Sequence, residues 1–157
     1  MPIYMNYTGI EGSVTAEDHK AWIEVDSFQW GIGRGISGGT GSGANRESGR
    51  PSVSEIVITK TLDAASPKLS QELIKTTKGV DVKIDFVRTG DGKAEAYLKI
   101  VLTNTLIAGY SLSSGGERPT ESVSLNFTKF EYNYTGMKAD GKPDSPFSYN
   151  YDVALAK

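Results

Sequence analysis

The chain has 157 residues, of which 38% are hydrophobic and 23% are charged, and its formal net charge is -2. This length and composition predict a single folded domain, residues 1–157, with a buried core rather than a disordered chain. Because acidic and basic residues are mixed and no run of Lys or Arg stands out, we expect neither nucleic-acid binding nor membrane insertion.

Three further features limit the possible site chemistry and the possible route of secretion. The chain contains no cysteine, which excludes disulfides, thiolate metal ligands and cysteine nucleophiles. The N-terminal residues have no basic region followed by an apolar stretch, so we expect no cleavable signal peptide. No apolar run approaches the roughly 18 residues that span a bilayer. If the protein leaves the cell, it does so by a route that needs no N-terminal signal.

Apolar side chains recur at every second position in several segments, which is typical of β-strands. The segments are residues 3–7, 56–62, 80–86, 98–102 and 147–155. In the second of them, one face of the strand carries Ile56, Ile58, Lys60 and Leu62. This period predicts a mainly β fold.

Two further segments change the phase of the alternation. Ile23 and Val25 are followed by Phe28, Trp30 and Ile32, and a second change separates 123–127 from 130–134. A one-residue β-bulge moves the apolar side chains of a strand to its other face. Two short strands joined by a turn are the alternative, but neither junction contains Gly or Pro. Bulges would let long strands serve both sides of a curved or closed sheet.

One short helix is predicted at about residues 67–78. Ser66 is its expected N-cap, Pro67 its first residue and Gly79 its C-cap. Leu69, Leu73 and Thr77 then lie on one side at helical spacing, with Ile74 beside them. This apolar stripe would cover a sheet or close the mouth of a barrel.

The remaining segments predict turns and one long loop. Residues 89–92 are typical of a hairpin turn, and residues 113–116 lead into a strand that begins near Thr120. The longest irregular stretch is the Gly-rich segment 33–52. A loop of this length in a compact domain is usually functional or disordered.

The motifs tested for enzymatic or cofactor chemistry are unconvincing. Residues 33–38 match the glycine spacing of a dinucleotide site, but that site needs a helix immediately after the glycines, and here an extended segment follows. The single histidine, His19, lies among polar residues and is expected to be solvated rather than catalytic. The carboxylate pairs Glu24/Asp26, Asp81/Asp85 and Glu117/Glu121 occupy positions that indicate solvent faces or turns. We therefore predict no catalytic residue, no metal site and no cofactor.

The aromatic residues of the second phase-changing segment raise one alternative. Phe127, Phe130, Tyr132 and Tyr134 could form a base-stacking platform, but Lys129 is the one basic residue among them. Packing in the core or at an interface is favoured.

Three segments together resemble the haemolysin-coregulated protein (Hcp) family. They are residues 20–31 (KAWIEVDSFQWG), 58–69 (ITKTLDAASPKL) and 118–127 (RPTESVSLNF). The second contains Lys-x-x-Asp-x-x-Ser-Pro just before the predicted helix. Their order and spacing cover nearly the whole chain, and the three motifs are specific in combination.

The resemblance implies a fold and an assembly. The fold is a closed β-barrel of two packed antiparallel sheets with one short α-helix and the extended Gly-rich loop 33–52. The function is that of a structural, non-enzymatic subunit of the type VI secretion inner tube. Hexameric rings stack into a hollow tube that lies in a contractile sheath, carries a spike protein at its tip and holds small effectors in its lumen. The protein would assemble in the bacterial cytoplasm and then reach the extracellular space or a target cell.

The resemblance also suggests positions for two kinds of contact. The loop 33–52 corresponds to the loop that reaches toward the neighbouring ring, and its candidate stacking residues are Gly35, Ile36, Gly38, Gly39, Gly41, Gly43 and Arg46. Residues 111–116 correspond to the loop that faces the lumen, which makes Ser113 and Ser114 candidate effector contacts.

Two alternatives belong to other classes of function. The first is a secreted, monomeric β-barrel that binds protein or carbohydrate, which would show no ring-sized particles in solution. The second is a hydrolase with an unfamiliar site, which would lose activity on replacement of His19 or Ser42.

Overall fold

The computed structural model describes residues 1–37, 47–90 and 93–157, and side chains at all of these except 37, 47, 48, 90 and 93. The described part is mainly β with one α-helix, as predicted. Its elements are β1 (Ile3–Tyr7), a 3-10 turn (Glu17–His19), β2 (Ile23–Val25), β3 (Ser27–Gln29), β4 (Ile32–Gly33), β5 (Ile36–Ser37), β6 (Glu47–Ser48), β7 (Ser52–Val53), β8 (Ile56–Thr61), α1 (Ser66–Lys75), β9 (Val80–Gly90), β10 (Lys93–Ser113), β11 (Thr120–Asn126), β12 (Lys129–Met137) and β13 (Pro143–Asp152).

Nine of the described strands form two antiparallel sheets that share the 21-residue strand β10. The first sheet has the order β2-β1-β9-β10-β12-β13, in which the N-terminal half of β10 lies between β9 and β12. The second sheet has the order β10-β11-β8-β3 and uses the C-terminal half of β10. The strand β10 therefore forms one corner between the sheets.

The corner of β10 depends on two residues with unusual backbone surroundings. Asn104 has a φ of 54°, a left-handed conformation that short polar side chains tolerate. Gly79 lies against it, and a Cβ at Gly79 would be 2.1 Å from the Asn104 side-chain oxygen. The prediction that Gly79 caps the helix was wrong, because α1 ends at Lys75 with Thr76 as its C-cap. Gly79 is needed instead for the close approach of two backbones.

The two changes of phase mark the places where a strand exchanges one partner for another. The residue between β2 and β3 is Asp26, and there the pairing passes from β1 to β8. The segment between β11 and β12 is Phe127–Thr128, and there the chain leaves β8 for β13 while staying beside β10. Each junction thus separates two strands without a hairpin turn.

The outer ends of the sheets, β2 and β3, are joined through Asp26. The Asp26 amide donates a hydrogen bond to the Thr59 carbonyl oxygen at 2.8 Å. Among the described strands, no ladder pairs β2 with β3, so the closed barrel stays a prediction.

The core lies between the two sheets. Its members are apolar side chains, most of them from the two sheets, together with Ala65 and Leu69 of the helix region: Met5, Tyr7, Ile10, Ile23, Val25, Ile56, Ile58, Val82, Ile84, Ile100, Leu102, Ile107, Val123, Leu125, Phe127 and Phe130. The predicted apolar stripe of the helix is therefore correct at Leu69. It is wrong at Leu73 and Ile74, which are exposed, because the helix buries Ser66 and Leu69 near its N-terminal end.

The start of the helix also differs from the prediction. The N-cap is Ala65, with no side-chain hydrogen bond to the helix, and Ser66 is the first helical residue. The Ser66 hydroxyl is unavailable for capping because it belongs to a buried cluster described below. Asp63 provides a side-chain hydrogen bond at the start of the helix, since its carboxylate accepts from the Ala65 amide at 2.9 Å.

Segment 33–52 was predicted to be an irregular loop, but its described parts form short paired strands. Ile32 and Gly33 pair with Val53 and Ser52, and further out β5 pairs with β6. We call these four short strands the arm. Residues 38–46 lie outside the described part of the chain.

The predicted turns agree with the strand pairing. Gly90 pairs with Lys93 on either side of residues 91–92, and β11 begins at Thr120.

In the described ranges, no helix is long and apolar enough to cross a membrane.

Candidate assembly interface

A buried charged cluster joins the end of β8 to the helix. Lys60 is fully buried, and its ammonium donates hydrogen bonds to Glu121 at 2.8 Å, Asp63 at 2.9 Å and Ser66 at 3.1 Å. The carboxylate of Glu121 also accepts hydrogen bonds from the hydroxyls of Ser66 and Tyr110. The cluster holds α1, β8 and β11 together.

The hydrogen bonds around Glu121 keep it charged. Burial raises the pKa of Glu121, but the hydrogen bonds from Lys60, Ser66 and Tyr110 and the charge of Lys60 lower it by more, so the pKa lies below 4.5. Burial and the hydrogen bond to Glu121 raise the pKa of Tyr110 to about 12. The cluster is thus a stable pair of opposite charges near neutral pH.

The distance between Lys60 and Ser66 permits a Ser–Lys nucleophile pair, but the surroundings argue against one. Ser66 is 2% exposed and Lys60 is 0% exposed, so no substrate reaches the hydroxyl. The Lys60 nitrogen also donates hydrogen bonds to the carboxylates of Glu121 and Asp63, so it is held by two groups other than Ser66. The cluster is therefore structural.

His19 is buried, and the prediction that it is solvated was wrong. It is 6% exposed and its Nε2 lies 2.8 Å from the Asp85 carboxylate. Its ring packs between those of Tyr4 and Trp22, with centroid distances of 4.9 and 4.6 Å. The pair fastens the segment between β1 and β2 to β9, a long-range contact that the local polar sequence conceals.

Two of the carboxylates assigned to solvent faces or turns are buried. Glu121 and Asp85 each have a basic partner, Lys60 and His19 respectively, and this explains their burial. In the ranges that the structure describes, no group of three His, Asp or Glu residues could hold a metal ion.

On the core-facing side of the first sheet, exposed aromatic rings continue beyond the core. Strand β13 pairs with β12 alone among the described strands, and its residues 143–150 are all exposed. Tyr132 stacks on Tyr149 with a centroid distance of 5.8 Å, and Tyr134 pairs with Phe147, which is 71% exposed. We call these four residues the β12–β13 aromatic face.

The aromatic face continues a buried cluster. Phe127 and Phe130 belong to the core, as the prediction of core packing requires. From Phe130 the same side of β12 leads to Tyr132 and then to Tyr134, which is 48% exposed. A surface that is continuous with the core, aromatic and next to an unpaired strand edge has the properties of an interface.

The predicted stacking residues fall on the arm or outside the described residues. The Gly35 carbonyl accepts a hydrogen bond from the Gly49 amide at 2.8 Å, and the Ile36 side chain is 57% exposed. The base of the arm is tied to the body by Arg50, which donates to the Val153 carbonyl oxygen at 2.5 Å. Gly38, Gly39, Gly41, Gly43 and Arg46 lie outside the described part of the chain.

The predicted lumen residues lie together at the turn between β10 and β11. The Ser113 hydroxyl is 3.3 Å from that of Thr120, and the Ser114 hydroxyl donates to the Glu117 carbonyl oxygen at 2.9 Å. These residues line a shallow polar depression with Arg118. The structure thus brings Ser113 and Ser114 together on an exposed turn.

The buried charged cluster was missed, although the sequence contains its signal. Lys60 occupies the same face as Ile56 and Ile58, and Glu121 shares a face with Val123 and Leu125. When a lysine and a glutamate both occupy core-facing positions of the alternation on two strands, they predict a buried ion pair.

Comparison with known proteins places the chain in a family. Residues 4–134 match the model of the family described as "Type VI secretion system effector, Hcp". Protein hcp1 of Pseudomonas aeruginosa is 32% identical over 104 residues, which are 64% of this chain and 64% of that protein. The match thus spans less than two thirds of this relative.

Solved structures share the fold. A structure described as a type six secretion system protein has a TM-score of 0.89 at 24% identity, with 99% of this chain and 98% of that chain covered. Hcp1 from Salmonella typhimurium has a TM-score of 0.79 at 24% identity, with 98% and 95% covered. The family match over residues 4–134 carries the assignment: the chain belongs to the Hcp family of type VI secretion system proteins.

Proposed function

We propose that this chain is the subunit of a type VI secretion inner tube, in which six copies form a ring and the rings stack. Family membership supports the role, and the β12–β13 aromatic face next to the open edge of β13 is the observation that carries the assembly. The chain would be delivered out of the cell inside a contractile sheath and behind a spike.

Each subunit is proposed to be a closed barrel and a single domain. The hydrogen bond from the Asp26 amide to the Thr59 carbonyl, at 2.8 Å, supports closure at the junction of β2 and β3. Closure removes two free sheet edges and leaves β13 as the edge that can meet another copy.

The ring contact is proposed to bury the β12–β13 aromatic face against a different surface of the next subunit. Such a head-to-tail contact closes into a ring when its rotation permits. Phe147 and Tyr149 are large, exposed and held by cross-strand neighbours, as interface anchors are. Full burial of one such side chain stabilises a contact by about 1.5–3 kcal/mol.

The arm is proposed to serve the stacking of rings, and the turn of Ser113 and Ser114 to face the lumen. The exposed Ile36 gives the arm an apolar contact at a distance from the body. The hydroxyls of Ser113, Ser114 and Thr120 offer hydrogen bonds to small effectors that pass through the lumen. No catalytic role is proposed for any residue.

Sedimentation velocity and negative-stain imaging of the purified chain test the assembly. We expect ring-shaped particles of six copies, and we expect Phe147→Asp to give monomers with an unchanged circular dichroism spectrum. Ser148→Asp is the matched control, because this exposed neighbour points to the other face of β13. A wild-type chain that stays monomeric at high concentration would refute the proposal and favour a monomeric binding protein.

A further inference from the structure

The helix presents a basic ridge with an apolar tip. Ile74 is 80% exposed, and at 100° per residue Lys68 and Lys75 project from the same outward half of α1, opposite the buried Leu69. The ion pairs of the described residues involve neither lysine. We call Lys68, Ile74 and Lys75 the helix ridge.

A cleft lined by acidic and apolar residues lies elsewhere on the surface. It has a volume of about 580 Å³, and Pro2, Tyr4 and Val87 contribute apolar surface to it. Glu17, Asp18 and Glu95 contribute three carboxylates, and His19, held by Asp85, forms part of the wall. We call this the acidic cleft. Its apolar lining and acidic rim match the apolar tip and the lysines of the helix ridge.

The ridge and the cleft lie at opposite ends of the same strands. The helix lies near the Tyr7 end of β1, since α1 leads directly into the start of β9, where Val82 pairs with Tyr7. The cleft lies at the other end of β1, beside Tyr4, and along β9 it lies at Val87. At about 3.3 Å per residue, β9 covers roughly 23 Å from Val80 to Val87.

The arm leaves the body at the helix end of the first sheet. Arg50 at its base donates to the Val153 carbonyl oxygen, and the Val153 amide donates to the Thr128 carbonyl oxygen. The Thr128 amide in turn donates to the carbonyl oxygen of Thr103, in the part of β10 that pairs with the start of β9. Stacking head to tail would therefore bring the arm and the helix ridge of one copy to the cleft end of the next.

We propose that the helix ridge of one subunit docks into the acidic cleft of a subunit in the adjacent ring. This contact is additional to the arm, and it rests on the ring stacking proposed above. A second copy is the occupant, because the chain itself supplies both complementary surfaces at opposite ends. A contact between two different surfaces repeats without limit along an axis, as a tube requires. Rim charges of this kind make the association dependent on salt.

A charge exchange tests the contact on the full-length chain. We expect Lys75→Glu and Glu95→Lys each to weaken ring stacking by at least about tenfold, measured by sedimentation velocity, while rings still form. In the proposed contact Lys75 lies opposite Glu95. The double variant should therefore recover stacking to within about threefold of the wild type, because the exchange restores this pair in reverse. Lys83→Glu, at an exposed lysine in the middle of β9, is the control for a change of net charge.

The outcomes separate this contact from the proposed function. Rings that stack equally well in wild type and both single variants would overturn the contact and leave the tube intact. Two single effects that add in the double variant would also overturn it and leave the tube intact. Wild-type rings that never stack, or a wild-type chain that forms no rings, would overturn the proposed function as well. Unfolding midpoints of the variants within a few degrees of the wild type exclude misfolding as the cause.

Discussion

Replacing Glu121 by Gln tests whether the buried charged cluster fixes the helix to the sheet. The change removes the negative charge but keeps the shape of the side chain. Lys60, which is 0% exposed, is left with Asp63 as its anionic partner at 2.9 Å. Removing one partner of a buried ion pair typically costs 3–5 kcal/mol. Because Asp63 remains, we expect about 3 kcal/mol, the lower end of that range, and for a chain of this length a fall in Tm of roughly 6–12 °C.

Urea unfolding followed by tryptophan fluorescence measures this free energy. Wild type and variant must be compared in the same oligomeric state, because assembly adds to apparent stability. The second arm of the experiment is the double variant Lys60→Met/Glu121→Leu, which removes both charges together. We expect it to be more stable than Glu121→Gln, because no buried lysine is left with one of its two carboxylate partners missing, and the Ser66 hydroxyl keeps its hydrogen bond with the Asp63 amide.

The reasoning would be refuted by a loss of less than about 1 kcal/mol in Glu121→Gln, or by a double variant that is less stable than the single one. Either result would mean that the apolar contacts of Leu69 alone secure the helix.

Three further predictions concern stability. The folded-state pKa of Glu121 is depressed, so the stabilisation by this carboxylate is present above pH 4.5 and is lost as the pH falls through the folded-state pKa. The difference in unfolding free energy between wild type and Glu121→Gln should therefore shrink on acidification from pH 7 to pH 3, and a constant difference would contradict this. Thr105→Val should stabilise the fold by about 1 kcal/mol in urea unfolding, because the buried Thr105 hydroxyl has no hydrogen-bond partner among the described residues; a loss of stability would reveal a partner. Gly79→Ala should cost about 2 kcal/mol, because its Cβ would collide with Asn104, whereas Gly115→Ala in open surroundings should have little effect; equal effects would argue against the tight corner.

The sequence predicted strands well because their signal is local. Alternation is a property of neighbouring residues, and residues 3–7, 80–86 and 98–102 all lie in strands of the structure. The places where the prediction failed depend on contacts between distant residues. Ser66 has the sequence context of an N-cap, but a glutamate 55 residues away binds its hydroxyl.

His19 and the arm illustrate the same limit. The sequence around His19 is polar, and its burial follows from Asp85, which is 66 residues away in the chain. The glycines of the arm predict an irregular loop, yet the flanking residues meet in register and form short strands. The aromatic face was predicted as packing surface, but the alternation could not show where along β12 the burial ends.

The corner strand also bears on how the molecule comes apart. Strand β10 is a central strand of the first sheet and an edge strand of the second. Unfolding of either sheet therefore removes β10 as a pairing partner from the other sheet. Heat should therefore disrupt all elements in one all-or-none step, with the calorimetric and van't Hoff enthalpies in agreement. A subunit of this kind has no weak half that could yield first under mechanical load.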